Sequence, residues 1–451
     1  MKTVIHPQYQ GRADVQEAEE ILRTCVHCGF CTATCPTYQQ LGDERDGPRG
    51  RIYLIKQLLE TGTITEASQT HLDRCLTCRS CETTCPSGVR YGALADIGRG
   101  IMEEQLQRPF LSRLVRWGLR KVLPYPNRFG PLLKLGQLFR PLLPQSLKAK
   151  VPAPQRRTAW PNGNHQRRML ALAGCVQSAV TPNTNAAAAR VLDKLGITLM
   201  EAPDAGCCGA VSYHLAHHEE GLDFMRRNID AWWPAIEDGA EAIVISASGC
   251  GASVKEYGHL LRHDADYAAK ATRVSELARD LSEVLLQEDL HKLTPVTQPK
   301  TAVHCPCTLQ HALKLDNSVQ TLLRRVGVEL SQTRDNHLCC GSAGTYAILQ
   351  PELSKKLLDA KLEALTMEQP QQIVTANIGC QMHLQGKADI PVRHWIELLD
   401  VAKGDGGIKN QVVQRGNNRV SCFIEPENYR FYLQLWEDVS QRYGKAGTVQ
   451  V

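Results

Sequence analysis

Eight cysteines, set out as two copies of one run, constrain this chain more than any other feature. Cys25, Cys28, Cys31 and Cys35 precede Pro36, and Cys75, Cys78, Cys81 and Cys85 precede Pro86, so Cys-x2-Cys-x2-Cys-x3-Cys-Pro occurs twice. Three cysteines at this spacing wrap a compact loop over three corners of a cube, and backbone N–H groups can point at the sulfurs. The fourth, held ahead of proline, starts a new direction and reaches a second cube. Two [4Fe–4S] clusters with exchanged fourth ligands are therefore expected. Cys25, Cys28, Cys31 and Cys85 would hold one; Cys75, Cys78, Cys81 and Cys35 would hold the other. Zinc fits this run poorly, because zinc tetrads usually come as two separated Cys-x2-Cys pairs. His27, Arg49 and Arg51 are close in sequence and could tune a cluster by charge or hydrogen bonding, although surface or capping roles are more ordinary for such residues.

The 39 residues between Cys35 and Cys75 read mostly as helix, which suggests a helical ferredoxin domain rather than a small ferredoxin. Paired cubes have one general use, the movement of single electrons. Composition agrees with an intracellular redox protein. A length of 451 residues implies two or three domains, and 43% hydrophobic with 22% charged residues is globular. No apolar stretch approaches the length of a membrane-spanning helix. The first twenty residues have no apolar core of a secretory signal. A reducing compartment is thus expected, where 18 cysteines mean metal or redox chemistry rather than disulfides.

Charge is uneven along the chain. Positions 105 to 192 contain no Asp or Glu but 15 Lys and Arg. Since the whole chain has 52 basic and 47 acidic residues, the remainder is net acidic by 10 (37 against 47). A basic belt on an otherwise acidic protein suggests an anionic neighbour, either the acidic face of a protein or anionic headgroups. The run FLSRLVRWGLRKVL from Phe110 mixes apolar and basic residues as interfacial helices do. Equally, it could be a solvated helix with its apolar face in the core. The belt has no recognisable nucleic-acid module, and no nucleic acid is expected.

The second half of the chain repeats itself. A strand-like run at 169–174, a helix at 183–195, a Gly-Ile-Thr-Leu-Met strand from Gly196, Cys207-Cys208-Gly209, a long helix, a strand at 242–246 and Cys250 come first. A strand at 301–304, a helix at 310–326, Gly327-Val-Glu-Leu, Cys339-Cys340-Gly341, a helix at 352–365, a strand at 372–376 and Cys380 then follow the same course. Both Cys175 to Cys207 and Cys307 to Cys339 span 32 positions, an internal duplication at an offset of about 132. The expected organisation is an α+β and α/β multidomain chain. A helical two-cluster ferredoxin domain occupies 1–105 and a basic amphipathic bridge and linker 106–165. Two α/β cysteine-rich repeats follow at 166–300 and 301–403, and 404–451 forms a linker with an amphipathic tail helix.

Each repeat offers four thiols: Cys175, Cys207, Cys208 and Cys250, then Cys307, Cys339, Cys340 and Cys380. Their spacing resembles the CCG (cysteine-rich) domain of heterodisulfide reductase subunits. The family pattern there ends in Cys-x2-Cys, whereas Ala247 and Asn377 stand at the first of those two positions here. Four thiols could hold a [4Fe–4S] cluster or a zinc, or form an empty pocket. One or two further metal centres are thus allowed by the sequence. Cys305 and Cys422 fall outside the pattern as ordinary small buried residues. His304 and His311 flank Cys307, where packing is the simpler expectation and orientation of a ligand the alternative.

Two ferredoxin runs followed by two CCG repeats resemble the family of iron–sulfur subunits that serve glycolate, lactate and glycerol-3-phosphate oxidation. CVHCGFCTATCPTY from Cys25, GDERDGPRGRIYLIKQ from Gly42, HCPCTLQHA from His304 and HLCCGSAGTYA from His337 are similar to the glycolate oxidase branch of it. That resemblance implies flavin-containing glycolate oxidase partner subunits carrying the FAD, a heteromeric complex, and electrons passed on to a quinone-type acceptor. It also implies a cytoplasmic location peripheral to the inner face of the membrane, and no activity of the chain alone. The chain itself has no strand–GxGxxG–helix fingerprint for flavin or nicotinamide and no phosphate-binding P-loop, so a wire without a hydride acceptor needs a partner to fill it. A stand-alone thiol–disulfide reductase working at the CCG centres is the other reading, weakened by the two absent cysteines; a zinc-held scaffold is the third.

Overall fold

The first hundred residues fold as helices joined by tight cysteine-bearing loops. The computed structural model describes residues 1–144, 148, 151–293 and 298–400, together with the backbone of 411–415 and 418–422. Helices Ala13–Thr24, Pro48–Thr61 and Tyr91–Gln105 carry apolar residues at helical spacing: Ala18, Ile21 and Leu22, then Ile52, Ile55, Leu58 and Leu59, then Leu94 and Ile101. These side chains meet in one core that reaches the sulfurs of Cys25, Cys75 and Cys81. The cysteine loops are thereby fixed to a packed helical frame.

The basic belt forms two helices, Phe110–Val122 and Pro126–Phe139. Among the 15 cations, Arg108, Arg116, Arg120, Lys121, Arg167 and Arg168 form ion pairs with Asp73, Glu103, Glu220, Glu241, Glu288 and Asp238. Part of the belt is thus neutralised by the acidic remainder of the same chain. The apolar face does not enter the core. Phe110, Leu111, Leu114, Val115 and Trp117 are exposed, as are Leu132, Leu135, Leu138, Phe139 and Leu142. The linker expected before residue 166 is tied down as well. Trp160 packs on the first repeat and donates its indole N–H to the Leu199 carbonyl at 3.0 Å, while Thr158 and His165 bond to Asn183 and Asp193.

Strands β1 (Arg167–Ala171), β2 (Ile197–Glu201), β3 (Ile243–Ile245) and β4 (Ala278–Asp280) form a parallel sheet ordered β2-β1-β3-β4. A second parallel sheet is ordered β5-β6-β7, from Thr301–His304, Gln372–Thr375 and Val392–His394. An isolated parallel bridge from Thr301 to Leu330 stands where β2 lies in the first sheet, so the duplication read from the cysteines is present in the topology. The outer strands β4 and β7 are three residues each, too short to leave a periodic signal. The single helix expected at 310–326 is broken: a turn at Thr308–Ala312 is followed by left-handed Lys314 and Asn317, and helix Ser318–Arg325 starts only then. Asp316, Asn317 and Ser318 favour turns and caps over helix interiors, which accounts for the break.

The sheets share one core containing Leu192, Val244, Val303, Val374 and Trp395. The ends of β3 and β6 meet there: Ser248 N–H donates to the Ala376 carbonyl at 3.0 Å, and Asn377 Nδ2 donates to Ser248 Oγ at 3.3 Å. In the C-terminal unit, Gln411–Arg415 and Asn418–Cys422 pair as antiparallel strands, where the sequence suggested a linker. The expected tail helix lies outside the described residues.

Candidate iron–sulfur and thiol centres

The two ferredoxin runs curl in the same way. The residue before the second cysteine, His27 or Thr77, and the residue after it, Gly29 or Arg79, have positive φ. A left-handed turn at Thr77, which is β-branched, is strained. It turns the backbone inward, and the Thr77 N–H points at the Cys75 sulfur at 3.4 Å. One cavity is lined by Cys25, Cys28, Cys31 and Cys85, and a second by Cys35, Cys75, Cys78 and Cys81, with Cys81 and Tyr91 lining both.

These donor sets suit iron–sulfur clusters: the four expected cysteines line each cavity, with Cys81 reaching the first as well, and the buried Nε2 of His27, which lines the first, has no hydrogen-bond partner among the described residues. Burial pushes the Cys31 thiol up to about 11 and those of Cys78 and Cys81 well above their ordinary value. Such thiols become thiolates readily only beside a cation. Cys75 differs. Burial opposes its ionisation, but the charges of Arg51 and Arg99 and the hydroxyl of Tyr91 outweigh it and lower the thiol.

Arg51 is fully buried rather than a surface or capping residue. Its Nε donates to the His71 carbonyl at 2.7 Å and its Nη1 to Thr37 Oγ1 at 3.1 Å, and Thr37 Oγ1 lies 3.2 Å from the Cys35 sulfur. Arg49 instead pairs with Glu44 at the surface, at 2.6 Å. Arg99 and Tyr91 carried no signal in the sequence, because only the fold brings helix Tyr91–Gln105 under the second cysteine run.

In each repeat the four thiols form a chain of contacts: Cys175–Cys207–Cys208–Cys250 and Cys307–Cys339–Cys340–Cys380. Glycine after each Cys-Cys is obligatory. Gly209 and Gly341 both have φ +88°, and a Cβ would lie 2.6 Å from the carbonyl oxygen of Gly221 or Ser354. The surroundings differ. Cys175 and Cys207 pack with Phe224 under Tyr125 of the basic bridge. Cys307 and Cys339 pack instead with Leu76 and Cys78 of the second ferredoxin run, along with Tyr346, Leu353 and Leu357. His311 joins this contact, bonding Thr83 Oγ1 and the His337 carbonyl, each at 2.9 Å. Cys305 is buried outside the chain of thiols, pushed up to about 12 by burial and by Cys307.

Residues 21–89 match the model of a 4Fe-4S dicluster domain, and residues 169–255 and 301–385 each match that of a cysteine-rich domain. The chain is 58% identical over 403 residues to the glycolate oxidase iron-sulfur subunit of Escherichia coli strain K12, covering 89% of this chain and 99% of that protein. The chain belongs to the glycolate oxidase iron–sulfur subunit family. A probable glycolate oxidase iron-sulfur subunit of Bacillus subtilis strain 168 is 30% identical over 84% of this chain and 91% of its own length. Lactate utilization protein A of Bacillus velezensis is 26% identical over half of this chain and 96% of its own. The helical ferredoxin-type domain and the duplicated CCG unit are thus family features, and the chain is an iron–sulfur protein.

Proposed function

We propose that this chain is the electron-transfer subunit of a membrane-associated glycolate dehydrogenase complex. Flavin-bearing partner subunits oxidise glycolate to glyoxylate, and this chain carries the electrons towards a quinone-type acceptor. The observation that carries the proposal is the direct packing of Cys78, in the second ferredoxin run, against Cys307 and Cys339 of the second repeat. A scaffold would not need to bring two thiol sites into one buried cluster.

When bound, the [4Fe–4S] clusters supply one-electron redox chemistry. The residues of this chain hold and tune them. Cys25, Cys28, Cys31 and Cys85 would bind one cluster; Cys75, Cys78, Cys81 and Cys35 would bind the other. Arg51 and Arg99 place positive charge beside Cys75. The names of the E. coli and B. subtilis relatives supply the substrate. No described helix is long and apolar enough to cross a membrane. Membrane contact is assigned instead to the exposed apolar face of Phe110–Val122 and Pro126–Phe139, where the exposed cations Arg113 and Lys134 of the same helices suit anionic headgroups.

The experiment is glycolate-dependent reduction of a quinone analogue by this chain co-purified with its flavin subunits. Loss of that activity in Cys35→Ser and Cys78→Ser, with glycolate still reducing the flavin, is expected. Full quinone reduction without this chain would overturn the proposal, as would a purified chain containing zinc without inorganic sulfide.

A further inference from the structure

The two cysteine-rich repeats are copies in topology but not in the chemistry around their thiols. Sheet register aligns them residue by residue. Leu170 pairs with Ile243 in the first repeat as Ala302 pairs with Ile373 in the second, so Leu172 corresponds to His304. Both positions are buried, at 3% and 1% exposure. An aliphatic side chain in the first repeat is therefore replaced by an imidazole in the second.

That imidazole is unpartnered. Among the described residues neither Nδ1 nor Nε2 of His304 has a hydrogen-bond partner, although buried polar groups are nearly always satisfied. A ring nitrogen of His304 and the sulfurs of Cys340 and Cys380 lie within 4.8 Å of one another. On a tetrahedral zinc with Zn–S bonds near 2.3 Å two thiolates lie about 3.8 Å apart, so the three donors stand within about 1 Å of the separations that one ion requires. The sulfurs of Cys307 and Cys339, 3.8 Å apart, continue the chain of thiols from this group.

A second substitution accompanies the first. Gly209 abuts the Gly221 carbonyl as Gly341 abuts that of Ser354, which aligns Asn228 with Lys361. Asn228 uses a neutral amide to hold the loop before Cys208, donating to the Cys207 carbonyl at 2.8 Å. Lys361 holds the matching loop with a buried amine, its Nζ donating to the Asp335 carbonyl at 2.9 Å; burial lowers its pKa, and Cys340, Cys339 and Cys307 as thiolates favour its charged form. A buried cation beside a thiol cluster compensates thiolate charge.

We propose that the second repeat carries a transition-metal centre bound through both thiolate and imidazole, with His304 as a ligand beside Cys340 and Cys380, and that the first repeat cannot form this centre. Thiolate with imidazole suits zinc or an iron–sulfur cluster. The assignment rests on the donors around His304 and not on the glycolate reading, so its failure would leave glycolate-dependent electron transfer untouched.

The test uses the full chain purified anaerobically, as wild type, His304→Leu (the residue of the first repeat) and His304→Cys. Zinc, iron and labile sulfide per chain are measured, with X-ray absorption at the zinc edge and pulsed EPR for nitrogen coupling to a paramagnetic centre. Wild type is expected to show a nitrogen ligand, at zinc or at an iron centre according to the metal held. His304→Leu should lose the metal of one centre and keep the ferredoxin EPR signals. If His304→Leu loses those signals too, through misfolding, His304→Cys decides: metal kept and the nitrogen signature gone supports the assignment. Full metal content in His304→Leu, or a nitrogen signature that survives His304→Cys, overturns it.

Discussion

The hydroxyl of Tyr346, in the second cysteine-rich repeat, donates a hydrogen bond to the backbone carbonyl of Arg74, the residue before Cys75, at 3.0 Å. Its ring packs in the same apolar cluster as Leu76, Cys78, Cys307 and Cys339, so one side chain clamps the ferredoxin loop to the repeat's thiols. Tyr346→Phe should cost about 1 kcal/mol, the net value of one hydrogen bond. Tyr346→Ala should cost about 3 kcal/mol or more, because it also empties a buried aromatic site. Denaturant unfolding of the cluster-loaded protein checks both.

Arg51 supplies a buried positive charge to Cys75 and Cys35. Arg51→Met should lower the reduction potential of the cluster held by Cys75 and leave the other almost unchanged, because less positive charge favours the oxidised form. Removing one partner from the buried group around Asp46 should also cost about 3 kcal/mol. A potentiometric EPR titration of both clusters reads the shift. Equal shifts in the two would contradict the assignment of Arg51 to one site.

Glu17 ties helix Ala13–Thr24 to the first repeat. Its carboxylate meets His259 at 2.9 Å, Arg262 at 2.7 Å and Arg90 at 3.1 Å, and the His259 ring, with those guanidinium groups, brings it down to about 2. The unfolded chain would take up a proton near pH 4.5 that the folded chain still refuses. The stabilisation is therefore complete above about pH 4.5 and lost as pH falls towards 2. Glu17→Gln should remove this acid dependence and cost about 2 kcal/mol at neutral pH, measured by unfolding between pH 3 and 7.

Asp280 has the opposite sign. Burial raises its carboxyl to about 6; Oδ1 accepts from the Ser282 N–H and hydroxyl, while Oδ2 has no partner among the described residues. Its contribution is favourable below the ordinary carboxylate range and is lost as pH rises through about 6. Asp280→Asn keeps an acceptor for Ser282 without the buried charge. It should match wild type near pH 4 and be more stable by about 1–2 kcal/mol at pH 8, as read from unfolding midpoints at the two pH values.

The exposed face of Phe110–Val122 carries Leu111 at 72% and Trp117 at 55% exposure. Leu111→Asp with Trp117→Asp should reduce co-sedimentation with vesicles containing anionic lipid at least tenfold and leave cluster content unchanged. Unchanged vesicle binding would move that face from a membrane role to a protein partner.

The cysteine spacing alone determined which chemistry this chain can carry, because ligands to a small rigid cluster must come from short loops of fixed length. The 132-residue offset likewise determined the duplicated α/β unit, since a repeated pattern of strand, helix and Cys-Cys-Gly has to fold twice in the same way. Only the tertiary structure decided what surrounds the thiols. Arg99, Tyr346 and Lys361 gave no signal in the sequence, and Arg51 and His304, which stand near cysteines along the chain, are buried beside thiols only through packing. The amphipathic pattern at Phe110 was equally compatible with a core-facing and an outward-facing helix; the fold turned it outward, because the ion pairs of Arg120 and Lys121 with Glu220 hold its polar side against the first repeat. Periodicity reports that a helix has two faces, and only the rest of the molecule settles which of them meets water.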